Sequence, residues 1–163
     1  MPRDGAPTRA AILSAAVQTL KRSGLEGFSI DAVAQRAGVV KGLVLYHFQS
    51  RSRLLKRCGE EVAAERRRRL APALAADADL TAIDGTWAEL VAQASDGTSR
   101  AWLALCSADA GTEQAAAGSL ETRARQAVLD GCAVALVAGG DRRTIQDAYT
   151  ALWVALLAVE ARA

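Results

Sequence analysis

The sequence predicts an all-α protein: an N-terminal three-helix, helix-turn-helix module followed by a longer helical domain. Alanine supplies more than a fifth of the 163 residues, and the prolines are confined to Pro2, Pro7 and Pro72. Alanine is the best helix former and proline the worst. Apolar residues recur at spacings of three and four, the helical period. The β-branched and aromatic runs that strands prefer are nearly missing.

A first helix is expected from residue 8 to 21 or 22, because Ile12, Leu13, Ala16, Val17 and Leu20 make one apolar stripe. Gly24 follows as a stop signal, and Leu25 and Phe28 are then free to enter a core. Ser29 is placed to cap a second helix over 30–37, with Ile30, Val33 and Ala34 as its apolar side. Asp31 in its first turn suits the positive end of the helix dipole. Gly38 ends it, and a short third helix follows over about 40–47. Three short helices with a glycine turn between the last two fit a helix-turn-helix.

Ser50 can cap a fourth helix reaching about Leu70, with Leu54, Leu55, Cys58 and Val62 on one face and Glu65 within reach of Arg68 or Arg69. The run Arg66, Arg67, Arg68, Arg69 reads as a solvated face, with nucleic-acid contact as the alternative. Pro72 bends or ends this helix. Further helices are expected over 80–94 and 99–108, broken at Asp96 and Gly97. The last two are expected over about 112–138 and 141–161, separated by Gly139 and Gly140, with Asp141 as a cap.

The segment from Ala151 to Val159 is apolar nearly all round, so it must be buried on more than one side. A partner subunit supplies the second side. The expected dimer interface is Val128, Leu129, Val134 and Leu136 on one helix with Leu152, Trp153, Leu156, Leu157 and Val159 on the next. Two such hairpins pair about a two-fold axis. The alternative is a central helix in a monomeric bundle.

Charge is uneven. Residues 1–57 hold 10 Lys+Arg against 3 Asp+Glu, a net +7; residues 58–163 hold 10 against 15, a net −5. A basic module on an acidic remainder points to a polyanion as partner of the first part. No apolar run approaches the roughly 18 residues of a membrane span, and the first eight residues do not read as a secretory signal. The expected location is the cytoplasm, with no membrane partner.

Chemistry-bearing residues are sparse. Cys58, Cys106 and Cys132 are odd in number and widely spaced, so each reads as a small buried hydrophobe. With one histidine, His47, a zinc site is not expected, and no other metal or cofactor is required. Asp77, Asp79 and Asp84 look like a polar loop and helix start, and no Gly-rich phosphate loop is present. The chain is not expected to be an enzyme.

Residues 8–57 resemble the TetR family of bacterial transcriptional regulators. The resemblance rests on Ile12, Leu13, Ala15 and Ala16, then Gly24, Ser29, Ile30, Ala34 and the Ala37–Gly38–Val39 turn. It continues through Lys41–Gly42, Tyr46–His47–Phe48, Ser50 and Leu54. It implies a DNA-binding domain over 1–49 and a helical regulatory, ligand-binding and dimerisation domain over 50–163.

The resemblance also implies roles for single residues. Lys41 and Tyr46 match positions that touch phosphates in the family, and Arg51 matches a basic position at the start of the fourth helix. Ser29 caps a helix whose N-terminus faces phosphates. His47 matches a family residue near the phosphates, with packing or capping as its other reading; Phe48 is a core anchor. Gly42 allows close approach of a neighbouring helix or of the sugar-phosphate backbone. The helix from Val40 to His47 is expected in the major groove, where Leu43 and Val44 meet thymine methyl groups and Lys41 reaches a phosphate or a guanine. Where the family usually carries a capping Ser or Thr after the turn, this chain has Val40, which cannot cap.

The function so implied is a dimeric, ligand-responsive regulator, a repressor on a near-palindromic operator. The rival readings are a ligand-independent architectural DNA-binding protein and a helical protein–protein adaptor. Trp87, Leu90, Val91, Trp102, Leu105 and Cys106 are the candidate walls of a pocket for a small apolar effector, with plain core packing as the alternative for each.

Overall fold

A computed structural model describes residues 5–75, 79–108 and 119–160. Among these residues every regular element is a helix: α1 (Gly5–Ser23), α2 (Ile30–Ala37), α3 (Lys41–Phe48), α4 (Arg51–Leu74), α5 (Leu80–Ser95), α6 (Thr98–Ser107), α7 (Leu120–Val137) and α8 (Arg142–Glu160). No described helix is long and apolar enough to cross a membrane. The expected start of α7 near Thr112 lies outside the described residues; the described helix begins after Ser119, whose hydroxyl accepts from the Thr122 N–H. Pro72 does not stop α4, which runs on to Leu74.

The helix ends follow local chemistry. Ser29 Oγ accepts from Ala32 N at 3.0 Å, Ser50 Oγ from Arg53 N at 3.1 Å and Asp141 Oδ2 from Thr144 N at 2.8 Å. Each satisfies one donor that the first turn leaves open. Gly38 takes φ 66° and ψ 31°, a left-handed conformation that suits glycine. It lets Gly38 N and Val39 N donate back to Gln35 O and Ala34 O, closing α2 and turning the chain into α3.

The chain divides into two compact units, residues 1–64 with 100–113 and residues 65–99 with 114–163. In the first, Ile12, Ala16 and Leu20 of α1 pack with Phe28, Val33, Val44, Phe48, Leu54, Leu55 and Cys58. Ala101, Trp102 and Leu105 of α6 join the same core. Each large side chain so buried contributes roughly 1.5–3 kcal/mol. Burial pushes the Cys58 thiol up to about 12, which keeps it a neutral hydrophobe.

In the second unit, Leu70, Ile83, Trp87, Leu90, Leu129 and Cys132 pack around Tyr149 and Trp153. The Tyr149 hydroxyl donates to Ile83 O at 2.6 Å, and burial raises its pKa. Cys106, expected in a core, is exposed; it lies near the end of α6, one residue beyond the buried Leu105.

The arginine run is only partly a solvated face. Arg67 and Arg68 are exposed, but Arg66 is buried and paired with Asp130. Arg69 binds Glu65, Glu89 and Asp96, and donates to Thr98 Oγ1 at 3.3 Å. Asp96 in turn accepts from Thr98 N at 2.8 Å. Burial pushes the Asp96 carboxyl up, but its bonds from Thr98 and Arg69 outweigh this and hold it below the ordinary value. A carboxylate with a depressed folded-state pKa stabilises the fold above its unfolded pKa of about 3.9. That contribution is lost as pH falls through the lower, folded value. Asp96→Asn is therefore expected to shift the melting temperature less between neutral and strongly acidic pH than the natural chain does, as read by thermal melts across that range. An unchanged acid limb would show that protonation of Asp96 is not what costs the fold its stability in acid.

Candidate nucleic-acid interface

The helix-turn-helix is assembled from the inside out. Thr19 is buried and donates to Ala15 O at 2.8 Å, while Arg36 Nε donates to Thr19 Oγ1 at 3.0 Å. This ties the end of α2 to α1. Val33 and Ala34 seal the interior side of α2, and Val44 and Phe48 that of α3. The opposite side of α3 is left to solvent. Tyr46 is 78% exposed and Val40 73%; Lys41 and Leu45 are also exposed. The Tyr46 and His47 rings meet edge to face with centroids 5.2 Å apart.

The expected DNA-facing residues are thus sorted by the fold. Val40, Lys41, Tyr46 and the N-cap residue Ser29 are exposed, and Leu43 and His47 are half-buried. Val44 is fully buried, so it has no surface to offer a base edge; it stands four residues before Phe48 and points the same way. Val40 begins α3 without a side-chain capping bond, as a hydrocarbon must. A Cβ built on Gly42 meets nothing within 4 Å, so the glycine is not there to admit a neighbouring helix. Its surface is open to a partner outside the chain.

Two of the expected phosphate ligands have partners within the module. Lys41 Nζ sits 2.8 Å from Asp31 Oδ2, with both side chains more than half exposed. Such a surface pair is worth little and exchanges readily for a phosphate. Arg51 is held more firmly. Its Nε donates to Phe28 O at 3.2 Å, its Nη2 to Leu25 O at 3.3 Å, and its guanidinium lies 5.6 Å from the Phe28 ring centroid. It pins the α1–α2 loop to the start of α4, a role that the sequence does not display. Arg51→Ala is expected to lower stability by about 1–2 kcal/mol through the lost charged hydrogen bonds, measured by urea unfolding. A variant with unchanged stability but weaker DNA binding would return Arg51 to the phosphate role.

The other two expected sites are rearranged. Trp87 and Leu90, with Val91 packed on them, belong to the second unit's core, and Trp102 and Leu105 to the first unit's core. Cys106 is exposed. Of the expected dimer surface, Leu129 and Trp153 are fully buried within their own unit, and Val128, Leu136, Leu156 and Leu157 pack against the same core. Val134, Leu152 and Val159 remain exposed, at 47%, 48% and 67%. Exposed Val154 joins them, a position the pattern did not single out. Among the described residues no cluster of three metal-binding side chains occurs.

Comparison with known proteins agrees with this architecture. Residues 12–58 match the family model described as "Bacterial regulatory proteins, tetR family". The chain is 34% identical over 104 residues to the HTH-type transcriptional regulator BetI of Paraburkholderia phymatum, a stretch covering 61% of this chain. The chain spans about half of that relative's length, 53%. Its fold matches the crystal structure of the multidrug binding protein EbrR complexed with imidazole, with TM-score 0.67, 24% identity and 93% of each chain covered. It also matches a TetR-like transcriptional regulator from Rhodococcus sp. RHA1, with TM-score 0.60, 17% identity and 96% and 98% covered. Residues 12–58 thus carry the N-terminal region of the tetR family of bacterial regulatory proteins, and the chain as a whole shares its helical fold with these solved structures.

Proposed function

We propose that the chain is a DNA-binding transcriptional regulator, a ligand-responsive repressor that acts as a homodimer on a near-palindromic operator. The observation that carries this reading is the exposed side of α3, with Val40, Lys41 and Tyr46 held outward by a packed helix-turn-helix in the basic part of the chain. In this reading residues 1–49 bind DNA and residues 50–163 regulate and dimerise. One α3 from each protomer enters successive major grooves, about 34–36 Å apart. Ser29, Lys41, Tyr46 and His47 position the backbone, and Leu43 meets base methyl groups.

Dimerisation is supported by the exposed apolar positions Val134, Leu152, Val154 and Val159. The ligand response is supported by likeness to EbrR, whose structures hold imidazole and proflavin. For this chain the effector class proposed is a small, mainly apolar molecule.

The test is selection of a random duplex pool with the purified protein, followed by titration of the selected and scrambled duplexes. A near-palindromic selected sequence, bound more tightly than its scramble, is the expected result. Equal affinity for both would favour the architectural reading. Addition of apolar metabolites that raise the melting temperature should also change operator affinity; binding without such a change would remove ligand response from the function.

A further inference from the structure

The first unit also contains a basic surface at the C-terminal end of α3. A groove of about 250 Å³ opens beside the C-terminal end of α3. Arg9 of α1 forms one wall, and Arg53, Lys56 and Arg57 of α4 form the other. His47, Phe48 and Gln49 close the end next to α3. The three α4 residues fall at helical spacings of three and four, so they share one face. Arg53, Lys56 and Arg57 are exposed, and Arg57 pairs with Glu60 one turn on. Arg9 is held in place, with its guanidinium 5.0 Å from the Phe48 ring centroid. Gln49, at φ 66°, makes the turn that brings α4 back alongside this edge.

Four cations thus converge on a concave surface continuous with the end of α3, with Glu60 the carboxylate that the described residues pair there. By contrast, Arg51 directs two of its five donors at the α1–α2 loop. We infer that the Arg9, Arg53 and Lys56 groove seats DNA backbone phosphates beyond those α3 itself reaches, and so supplies much of the sequence-independent affinity. The inference rests on the DNA-binding reading above. Diester phosphate fits because it offers a repeated single negative charge along a narrow ridge, and long cationic side chains neutralise it without reading a base.

The experiment uses the full chain with the selected duplex and a scrambled duplex of equal length, titrated at several salt concentrations. The variant pair Arg53→Ala with Lys56→Ala is expected to weaken both duplexes by the same factor, on the order of tenfold to a hundredfold, and to flatten the salt dependence by roughly two units of slope per protomer. The charge-keeping pair Arg53→Lys with Lys56→Arg is expected to retain affinity and slope. Circular dichroism melts confirm that both pairs fold. Unchanged affinity and slope in the alanine pair, with wild-type binding intact, would overturn the groove while leaving the DNA reading standing. Equal loss in the charge-keeping pair would also overturn it, because packing rather than charge would then be at work. A wild-type chain that binds neither duplex would remove the DNA reading and the groove together.

Discussion

Trp153→Ala is expected to destabilise the second unit by about 3–5 kcal/mol, a large part of the roughly 5–15 kcal/mol that a domain holds. Trp153 is fully buried. Its ring meets Tyr149 edge to face at 6.1 Å, and Arg125 lies over it at 5.7 Å. Tyr149 in turn stacks obliquely on Trp87 at 5.3 Å. Removing the indole leaves a cavity that several helices would have to close together, and their other side chains cannot follow. Urea unfolding followed by circular dichroism gives the loss. Trp87 in the same core and Trp102 in the other both still fluoresce once Trp153 is gone, so the circular dichroism carries the reading. A variant with unchanged stability that sediments as a monomer would return Trp153 to the subunit interface.

That contrast shows which parts of the fold the chain's pattern made legible. The helix-turn-helix was readable because its signals act over a few residues: the Ser29 and Ser50 hydroxyls cap their helices, and Gly38 takes the left-handed turn. Helix α8 was legible as a helix and as one needing cover, but not in its orientation. Ile145, Tyr149 and Trp153, spaced by four, face the unit's core, while Leu152, Val154 and Val159 face out. Apolar residues on every side carry no mark of which side folds first against its own chain.

Some of what was misplaced did carry a signal. Arg66 stands four residues after Val62 and four before Leu70, in line with the buried stripe, so its burial follows from helical spacing. Its charge suggested solvent; Asp130, far away in sequence, is what makes the burial possible. Val44 likewise shares a face with Phe48, the residue already assigned to the core. The structural role of Arg51, bonded to two backbone carbonyls of a loop, has no local pattern at all.

Leu152→Glu combined with Val159→Glu is expected to convert the proposed dimer to monomers and to weaken binding to the selected palindromic duplex by about 10²–10⁴-fold. Both side chains are exposed on α8, and neither supports its own unit's core. Exposed Ala148, Ala151 and Ala155 surround them, and exposed Ala127, Gly131 and Val134 lie along α7. These small side chains allow two copies of the α7–α8 pair to approach closely about a two-fold axis. Two glutamates per protomer would bring four like charges into that apolar surface, where each loses its hydration without gaining a partner. The monomer would still fold, because Tyr149 and Trp153 on the inner face are untouched. It would also still hold one half-site through α3. What it loses is the linked second half-site, whose effective concentration supplies most of the operator affinity. Sedimentation gives the oligomeric state, and titration of the full duplex and of one half-site separates the two contributions. The half-site affinity should match that of wild type. An intact dimer in the variant would move the interface off this face, and full operator affinity in a proven monomer would remove the need for a dimer altogether.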